Sequence, residues 1–381
     1  MSSRALTLIC SLAFLAACAE EPVAPEGQDA GLIQAAKGGS KGKPGGGNDP
    51  GVSFNYTITD LGADISVRDI NDDGVLVGRT NDQAAVWFQV GGPPLLLGDP
   101  GGAGSWGSKI NAAGTKVIGG HWAENVQHGD LWELGGASVT RIPLHPLTGD
   151  DEVIPSGIND KGQVVGQSVP NDRSSQRAVL WEPDGSGNMI PRDLGDLPGF
   201  PGSWAQAISN AGHAVGRSGI RAVPVRPRAV MWFVEGTNVT AIDLTADSDD
   251  SGDNHALDIT EPSGGFVQIS GYTTIAGQQR PTVWTVDVQT KEVTAVRLEG
   301  VAAAWGRAIN QNGEVAVTSG VVWTPAQSLV EPLPMLSNKC SSQAWGINNT
   351  GTVVGQSSVF KKGGPPQGRC VSHAVVWTKK N

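Results

Sequence analysis

Ile158-Asn159-Asp160-Lys161-Gly162-Gln163-Val164-Val165-Gly166 is followed, after a loop, by Arg177-Ala178-Val179-Leu180-Trp181. The first stretch reads as two short strands joined by a tight turn. Asn159 stands at the first turn position, where its side chain caps the turn backbone, and Gly162 at the fourth, where a positive φ is needed. Arg177 to Trp181 is then a third strand, and Met189-Ile190-Pro191-Arg192-Asp193-Leu194-Gly195 a fourth. Four antiparallel strands of about 4 to 7 residues make one blade of a β-propeller.

The phrase recurs. Its clearest copies start at Ile70, Ile158 and Ile347, and looser ones at Ile110, Ile208, Ile259 and Ile309. They close on Trp87, Trp132, Trp181, Trp232, Trp284, Trp323 and Trp377. Successive isoleucines stand 40, 48, 50, 51, 50 and 38 residues apart, within the range of known blade repeats. Ser209 and Thr260 replace Asn in two copies and can make the same turn bond more weakly. Further fourth strands are expected near Leu95 to Gly98, Ala241 to Leu244 and Ala295 to Leu298. The closing tryptophans recur at one strand position, which predicts packing between blades.

The ends of the repeat array predict how it closes. Only Thr378-Lys379-Lys380-Asn381 follows Trp377, so the last copy lacks a fourth strand of its own. Tyr56-Thr57-Ile58-Thr59-Asp60-Leu61-Gly62 precedes the first copy and matches the Asp193-Leu194-Gly195 strand. The expected fold is therefore all-β, a seven-bladed β-propeller over residues 52–381, with strand 56–62 completing the last blade. An open stack would need capping repeats at both ends and leave sheet edges bare.

Residues 1–17 read as an export signal. Arg4 precedes an apolar run, Ala5 to Ala17, that is too short to span a bilayer. Leu15-Ala16-Ala17-Cys18 resembles the bacterial lipobox, which implies cleavage before Cys18 and lipidation of that residue. The expected location is the bacterial cell envelope, lipid-anchored; an ordinary secretion signal is the alternative. By the rule for enteric bacteria, the absence of Asp at position 19 directs such a protein to the outer membrane. Residues 18–51 follow as a Gly-, Pro- and Lys-rich tether, a coil spanning roughly 30 Å. Cys10 leaves with the signal and Cys18 takes lipid, so Cys340 and Cys370 remain, and an oxidising compartment predicts a disulfide between them.

The formal net charge is −10 and the sequence pI about 5.1. No basic stripe is present to track a phosphate backbone, so nucleic acid is not an expected partner. The repeat resembles the extracellular HAF-repeat family of bacterial proteins. His373-Ala374-Val375-Val376-Trp377 is the nearest match to that family's His-Ala-Phe triplet and Leu-Trp end, with Val in place of Phe. Asp193-Leu194-Gly195-Asp196-Leu197-Pro198-Gly199 is similar to its Asp-Leu-Gly-x-Leu-Gly-Gly segment. The resemblance covers residues 56–377 and implies architecture and export. It carries over no catalytic residue.

Four sets of residues are candidates for chemistry. Asp247, Asp249, Ser251, Asp253 and Asp258, with Gly252 at the sixth position of the loop, follow the order of a calcium-binding loop. Calcium is the one cofactor this suggests; a solvated acidic loop is the alternative. Trp106, Trp204, Trp305 and Trp345 lie four, four, four and two residues before a repeat isoleucine. Those even offsets place them on one strand face, where they either stack on a glycan or pack between blades. Asp69 and Asp258 directly precede their repeat isoleucines and are the two carboxylates at that level. A propeller hydrolase would need such a pair, yet the two fall on blades well apart, and no nucleophile elbow is present. His121, His128 and Asp130 share one expected loop and could hold a metal. The leading expectation is a monomeric, surface-tethered binding propeller that presents its loop faces to an envelope protein or a glycan. A glycan-active hydrolase using Asp69 and a structural envelope protein are the alternatives.

Overall fold

The computed structural model describes residues 54–380, except 137, 171, 174, 220–225, 246–251, 302 and 363–367. The export signal, Cys18 and the tether up to residue 51 lie outside the described residues. The chain folds into seven four-stranded antiparallel sheets, arranged as a seven-bladed propeller.

The strand β1 (Tyr56–Gly62) comes first and stands apart from the first blade. Blade 1 holds β2 (Ile65–Ile70), β3 (Leu76–Thr80), β4 (Gln83–Trp87) and β5 (Leu95–Gly98). Blade 2 holds β6 (Ser105–Ile110), β7 (Lys116–Ala123), β8 (Val126–Gly135) and β9 (Ser138–Leu144). Blade 3 holds β10 (Glu152–Ile158), β11 (Val164–Val169), β12 (Arg177–Pro183) and β13 (Met189–Asp193). Blade 4 holds β14 (Ser203–Ile208), β15 (His213–Ser218), β16 (Arg228–Glu235) and β17 (Asn238–Asp243). Blade 5 holds β18 (His255–Ile259), β19 (Phe266–Ile275), β20 (Gln278–Asp287) and β21 (Val293–Arg297). Blade 6 holds β22 (Gly306–Ile309), β23 (Val315–Val317), β24 (Val321–Thr324) and β25 (Leu329–Pro332). Blade 7 takes β26 (Ser342–Ile347), β27 (Val353–Lys361) and β28 (Arg369–Lys379), and β1 pairs antiparallel with β28 to complete it. The ring is closed as the sequence predicts.

The turns between first and second strands form as the repeat dictates. In blade 1, Gly74 donates to the Asn71 carbonyl and has φ +79°, while Val75 N–H donates to Asn71 Oδ1 at 2.8 Å. Where Ser209 replaces Asn, the corresponding bond from His213 N–H lengthens to 3.3 Å.

Every closing tryptophan is buried. Each belongs to a cluster formed by its own blade and the preceding one. Trp132 packs with Val77 and Val86 of blade 1, Trp181 with Ile118 and Leu131 of blade 2, and Trp377 with Ala308 and Val322 of blade 6. The core is thus seven wedges between blades, and a tryptophan in each supplies on the order of 150–250 Å² of contact.

The first strands carry a feature that simple alternation does not foresee. In every blade the register skips the residue two before the repeat isoleucine: Arg68, Ser108, Ser156, Gln206, Leu257, Arg307 and Trp345. This bulge drives a first-strand carbonyl onto the second strand. It explains the glycine that ends the phrase. A Cβ on Gly78, Gly119, Gly166, Gly216, Gly271 or Gly355 would fall 1.8 to 2.2 Å from such an oxygen, inside any allowed contact. Blade 6 carries Val317 at this register, opposite Gly306.

Cys340 and Cys370 are disulfide-bonded, with Cα atoms 5.9 Å apart. The bridge ties the start of β26 to β28, the strand on which the ring closes. A closed loop of 30 residues should contribute about 3–4 kcal/mol by restricting the unfolded chain. Urea unfolding of Cys340→Ser/Cys370→Ser should show that loss; a midpoint unchanged from the parent would refute it.

Candidate functional site: the two mouths of the channel

The seven first strands line a central channel. At one mouth, the conserved geometry of the turns builds a belt of hydrogen bonds from blade to blade. Asn71 Nδ2 donates to Ala112 O, Asn159 Nδ2 to Ser209 O, Asn310 Nδ2 to Asn348 O and Asn348 Nδ2 to Asn71 O. The next residue in each turn adds a second course. Asn349 N–H donates to Asp72, Asp160 N–H to Asn210 Oδ1, and Asn210 N–H to Glu261. The repeat asparagine therefore caps its own turn and also bridges to the next blade. Burial pushes the Glu261 carboxyl above its ordinary range, against the Asn210 amide bond that lowers it.

The space at this mouth is lined by Asp69, Lys109, Asp258 and the repeat isoleucines, among others. Asp69 Oδ1 accepts from Lys109 Nζ at 3.3 Å, and Oδ2 accepts from Ile110 N–H at 3.1 Å. Asp258 Oδ2 accepts from Ile309 N–H at 3.0 Å, and Oδ1 from its neighbour Ile259. Burial would push the Lys109 ammonium down, but the Asp69 and Asp258 carboxylates outweigh it and hold the amine above its usual value. Burial raises the Asp258 carboxyl, opposed by Lys109 and the Ile309 amide. Blades 1 and 5 stand apart in the ring, yet the charges of both carboxylates act on Lys109, and Asp69 is hydrogen-bonded to it. Both carboxylates thus bind amides of the next blade, and Asp69 also pairs with the half-buried Lys109.

The opposite mouth is aromatic. The bulge overturns the expectation of a single strand face for the four upstream tryptophans. Trp106 and Trp204 pair with Gly120 and Arg217 beyond the skipped residue, whereas Trp345 is itself the skipped residue. Their environments divide accordingly. Trp204 and Trp305 are 9% and 6% exposed. Trp204 Nε1 donates to Ser156 Oγ of blade 3, and Trp305 Nε1 to Gln279 Oε1 of blade 5. Trp305 also stacks on Tyr272 with ring centroids 5.3 Å apart. These two pack between blades. Trp106 and Trp345 are half-exposed. Trp106 lies 6.1 Å from the Trp122 ring, also half-exposed, and over Gly120, where a Cβ would meet its Cζ2 at 2.9 Å. The Arg68 guanidinium rests 4.6 Å above the Trp345 ring. Arg68 and Gln206 each stand next to a residue that lines the first mouth, Asp69 and Ala207, and they and Trp122 were not evident from the sequence. The mid-strand glycine in six of the seven copies is the signal that could have revealed the bulge and hence Arg68 and Gln206.

His121, His128 and Asp130 do not share a loop. They lie on the paired strands β7 and β8, with His121 opposite His128 and the rings stacked at 5.1 Å. Asp130 is fully buried; its Oδ2 meets His121 Nδ1 at 2.5 Å and its Oδ1 accepts from Arg141 Nε at 2.6 Å. Strand pairing directs the carboxylate to Arg141 on β9, so the set is a buried ion-pair network. Among the described residues no group of three or more His, Cys, Asp or Glu is placed to hold a metal ion. Asp247, Asp249 and Ser251 of the expected calcium loop lie outside the described residues. Asp253 precedes Asn254, whose Oδ1 accepts from Thr274 N–H, and Asp258 faces the channel as described.

No protein-family model matches the chain, and no curated protein matches it in sequence. Solved structures similar to it are propellers or contain them. The acylaminoacyl peptidase of Pyrococcus horikoshii is 10% identical with a TM-score of 0.50, covering 84% of this chain and 52% of the peptidase. YCF48 from Cyanidioschyzon merolae is 13% identical with a TM-score of 0.47, over 86% of this chain and 99% of that one. TolB from Acinetobacter baumannii is 13% identical with a TM-score of 0.39, over 62% of this chain and 55% of TolB. The chain thus spans about half the length of TolB and of the peptidase. At such identities the likeness extends to the propeller fold alone.

Proposed function

We propose that this protein is a binding propeller, tethered at the bacterial surface through Cys18, whose ligand is a glycan held at the aromatic mouth. The observation that carries this reading is the half-exposure of Trp106 and Trp122, at the ends of β6 and β7 away from the first mouth, and of Trp345 beside Arg68. The tryptophans that serve packing are buried. An indole face open to solvent at the rim of a funnel suits the C–H face of a pyranose, and such rings supply large contact area at low entropic cost. The hydrolase alternative needs a carboxylate pair available to substrate. Asp69 is instead engaged with Lys109 and the Ile110 amide, and Asp258 with the Ile309 amide.

A glycan array probed with the purified chain is the test. Retention of one glycan class, lost in Trp106→Ala and Trp345→Ala at unchanged melting temperature, is the expected result. Binding that persists in both variants would move the site away from this mouth. Absence of any glycan binding would leave a structural role as the better account.

A further inference from the structure

Blades 6 and 1, on either side of the blade that closes the ring, carry uncharged turns at one rim. Tyr56 of β1 pairs with Lys379; at that end of β28, Trp377 pairs with Val353, and Val353 with Ile347. The chain therefore joins the propeller on the face of the asparagine belt, at the outer edge of blade 7. Residues 88–94, between β4 and β5, lie on the same face of blade 1, because Trp87 pairs with Leu76 beside the blade's first turn. Gln83 through Gly98 hold no charged residue, in a chain of which 17% is charged. Phe88, Val90 and Leu96 are 49%, 45% and 41% exposed, and Pro93 and Pro94 are exposed between them. On the other side of blade 7, Thr324-Pro325-Ala326-Gln327-Ser328-Leu329 makes the equivalent turn of blade 6, also uncharged, with Leu329 41% exposed. Between the two turns, Lys380 is exposed and its N–H donates to Asn55 O. Elsewhere on this rim an exposed apolar side chain stands opposite a carboxylate: Ile190 pairs with Glu182 and Phe266 with Asp287. Asp72 and Asp73 of blade 1 sit on its inner turn, between β2 and β3.

We infer that this rim, from Leu329 across β1 to Phe88, Val90 and Leu96, docks onto a lipid bilayer. The occupant follows from the tether proposed above: a chain anchored through Cys18 enters the propeller at this rim, so the anchor brings this rim to the bilayer first. A contiguous exposed apolar patch marks an interaction surface. Docking here desolvates no charge from residues 83–98 or 324–329, and the Phe, Val and Leu side chains gain by leaving water for the interfacial layer. Lys380 adds attraction to anionic headgroups. Such a contact is a second attachment beside the lipid. It also turns Trp106 and Trp122, at the far ends of β6 and β7, away from the bilayer.

A dye on each face reads the docking. The full chain, purified with its N-terminal lipid and with Cys340 and Cys370 bonded, carries Val90→Cys or Ala103→Cys labelled with an environment-sensitive fluorophore. It is reconstituted in vesicles of phosphatidylethanolamine and phosphatidylglycerol. Ala103 is exposed in the loop before β6, on the opposite face. The dye at position 90 should emit at shorter wavelength, resist iodide and be quenched by brominated lipid, while the dye at 103 behaves as in water. Phe88→Ser with Leu329→Ser should lower the ratio of shielded to open dye at position 90 about tenfold or more, at unchanged melting temperature. Equal behaviour of the two dyes would overturn the inference. So would a dye at 90 that is shielded in native envelopes but open in protein-free vesicles, which would assign the rim to a protein partner. The mass of the mature N-terminal peptide reads the anchor separately. Lipid on Cys18 with position 90 open removes the docking and leaves the tether. A chain without lipid whose position 90 is still shielded by added vesicles removes the tether and leaves the docking. Neither lipid nor shielding overturns both.

Discussion

Tyr56→Ala should destabilise the protein by roughly 3–5 kcal/mol, the range for truncating a large buried aromatic. Tyr56 is 1% exposed and packs against Trp377, Ala308, Val322 and Leu333. It is also the first residue of β1, the one strand among the described residues that reaches blade 7 from the N-terminal side. Around it Asn55 and Lys379, which flank the β1–β28 pair, are held to blade 6. Lys379 Nζ meets Glu314 Oε1 at 2.7 Å and Glu331 Oε2 at 3.8 Å, and Asn55 Nδ2 donates to Glu331 Oε1 at 2.5 Å. Burial, with Glu314 and Glu331 nearby, pushes the Tyr56 hydroxyl far above its ordinary range, so it stays neutral. The seam is thus apolar at Tyr56 and ionic at Lys379, and one substitution reports on both. A urea midpoint that falls, with an m-value near the parent's, is the expected signature. A change below about 1 kcal/mol would mean that the ring is not held by this strand.

Asp130→Ala is the second large effect. It removes the carboxylate between His121 and Arg141 from a site with no solvent exposure. Breaking a buried pair by deleting one partner costs about 3–5 kcal/mol, because the other is left without its counter-charge. Arg141 is about a third exposed and can turn to water, so the lower half of that range is expected. Asp130→Asn keeps an acceptor for one neighbour and should recover part of the loss. Equilibrium unfolding of the two variants against the parent tests this order; stability of both equal to the parent's would show that the charge and its hydrogen bonds contribute nothing.

The architecture was legible because each blade is specified locally. Asn159, Gly162 and Trp181 state a turn and a wedge within some two dozen residues, and repetition turns that statement into a ring. The strand Tyr56–Gly62 was legible for a related reason, since a blade short of one strand at the end of the chain requires one elsewhere. What was not legible is what one blade does to the next. Asn71 reads as a turn cap in the sequence, and its bridge to Ala112 arises only when blades stand side by side. Trp345 and Trp204 look equivalent by even offset, but the skipped residue breaks the alternation between them. His121 and Asp130 read as loop residues because β7 and β8 run longer than the repeat suggests. The candidate site was therefore half visible: its tryptophans were named, while Arg68 and Gln206 gained meaning only from the bulge.

The pairing of β1 with β28 also sets the order in which the molecule can be assembled. Thr57 and Thr378, which meet in this pair, are 321 residues apart in sequence. Within a blade, neighbouring strands are joined by short turns and can pair as soon as both exist. Joining the ends requires closing a loop about five doublings longer than a ten-residue hairpin, an entropic handicap of roughly 3 kcal/mol on loop length alone. Contacts of this separation form slowly. The first strand made is then the last to find its place, and until it does, β28 offers an open edge beside the indole of Trp377. Aggregation during refolding should concentrate there, at the one strand whose partner comes from the other end of the chain.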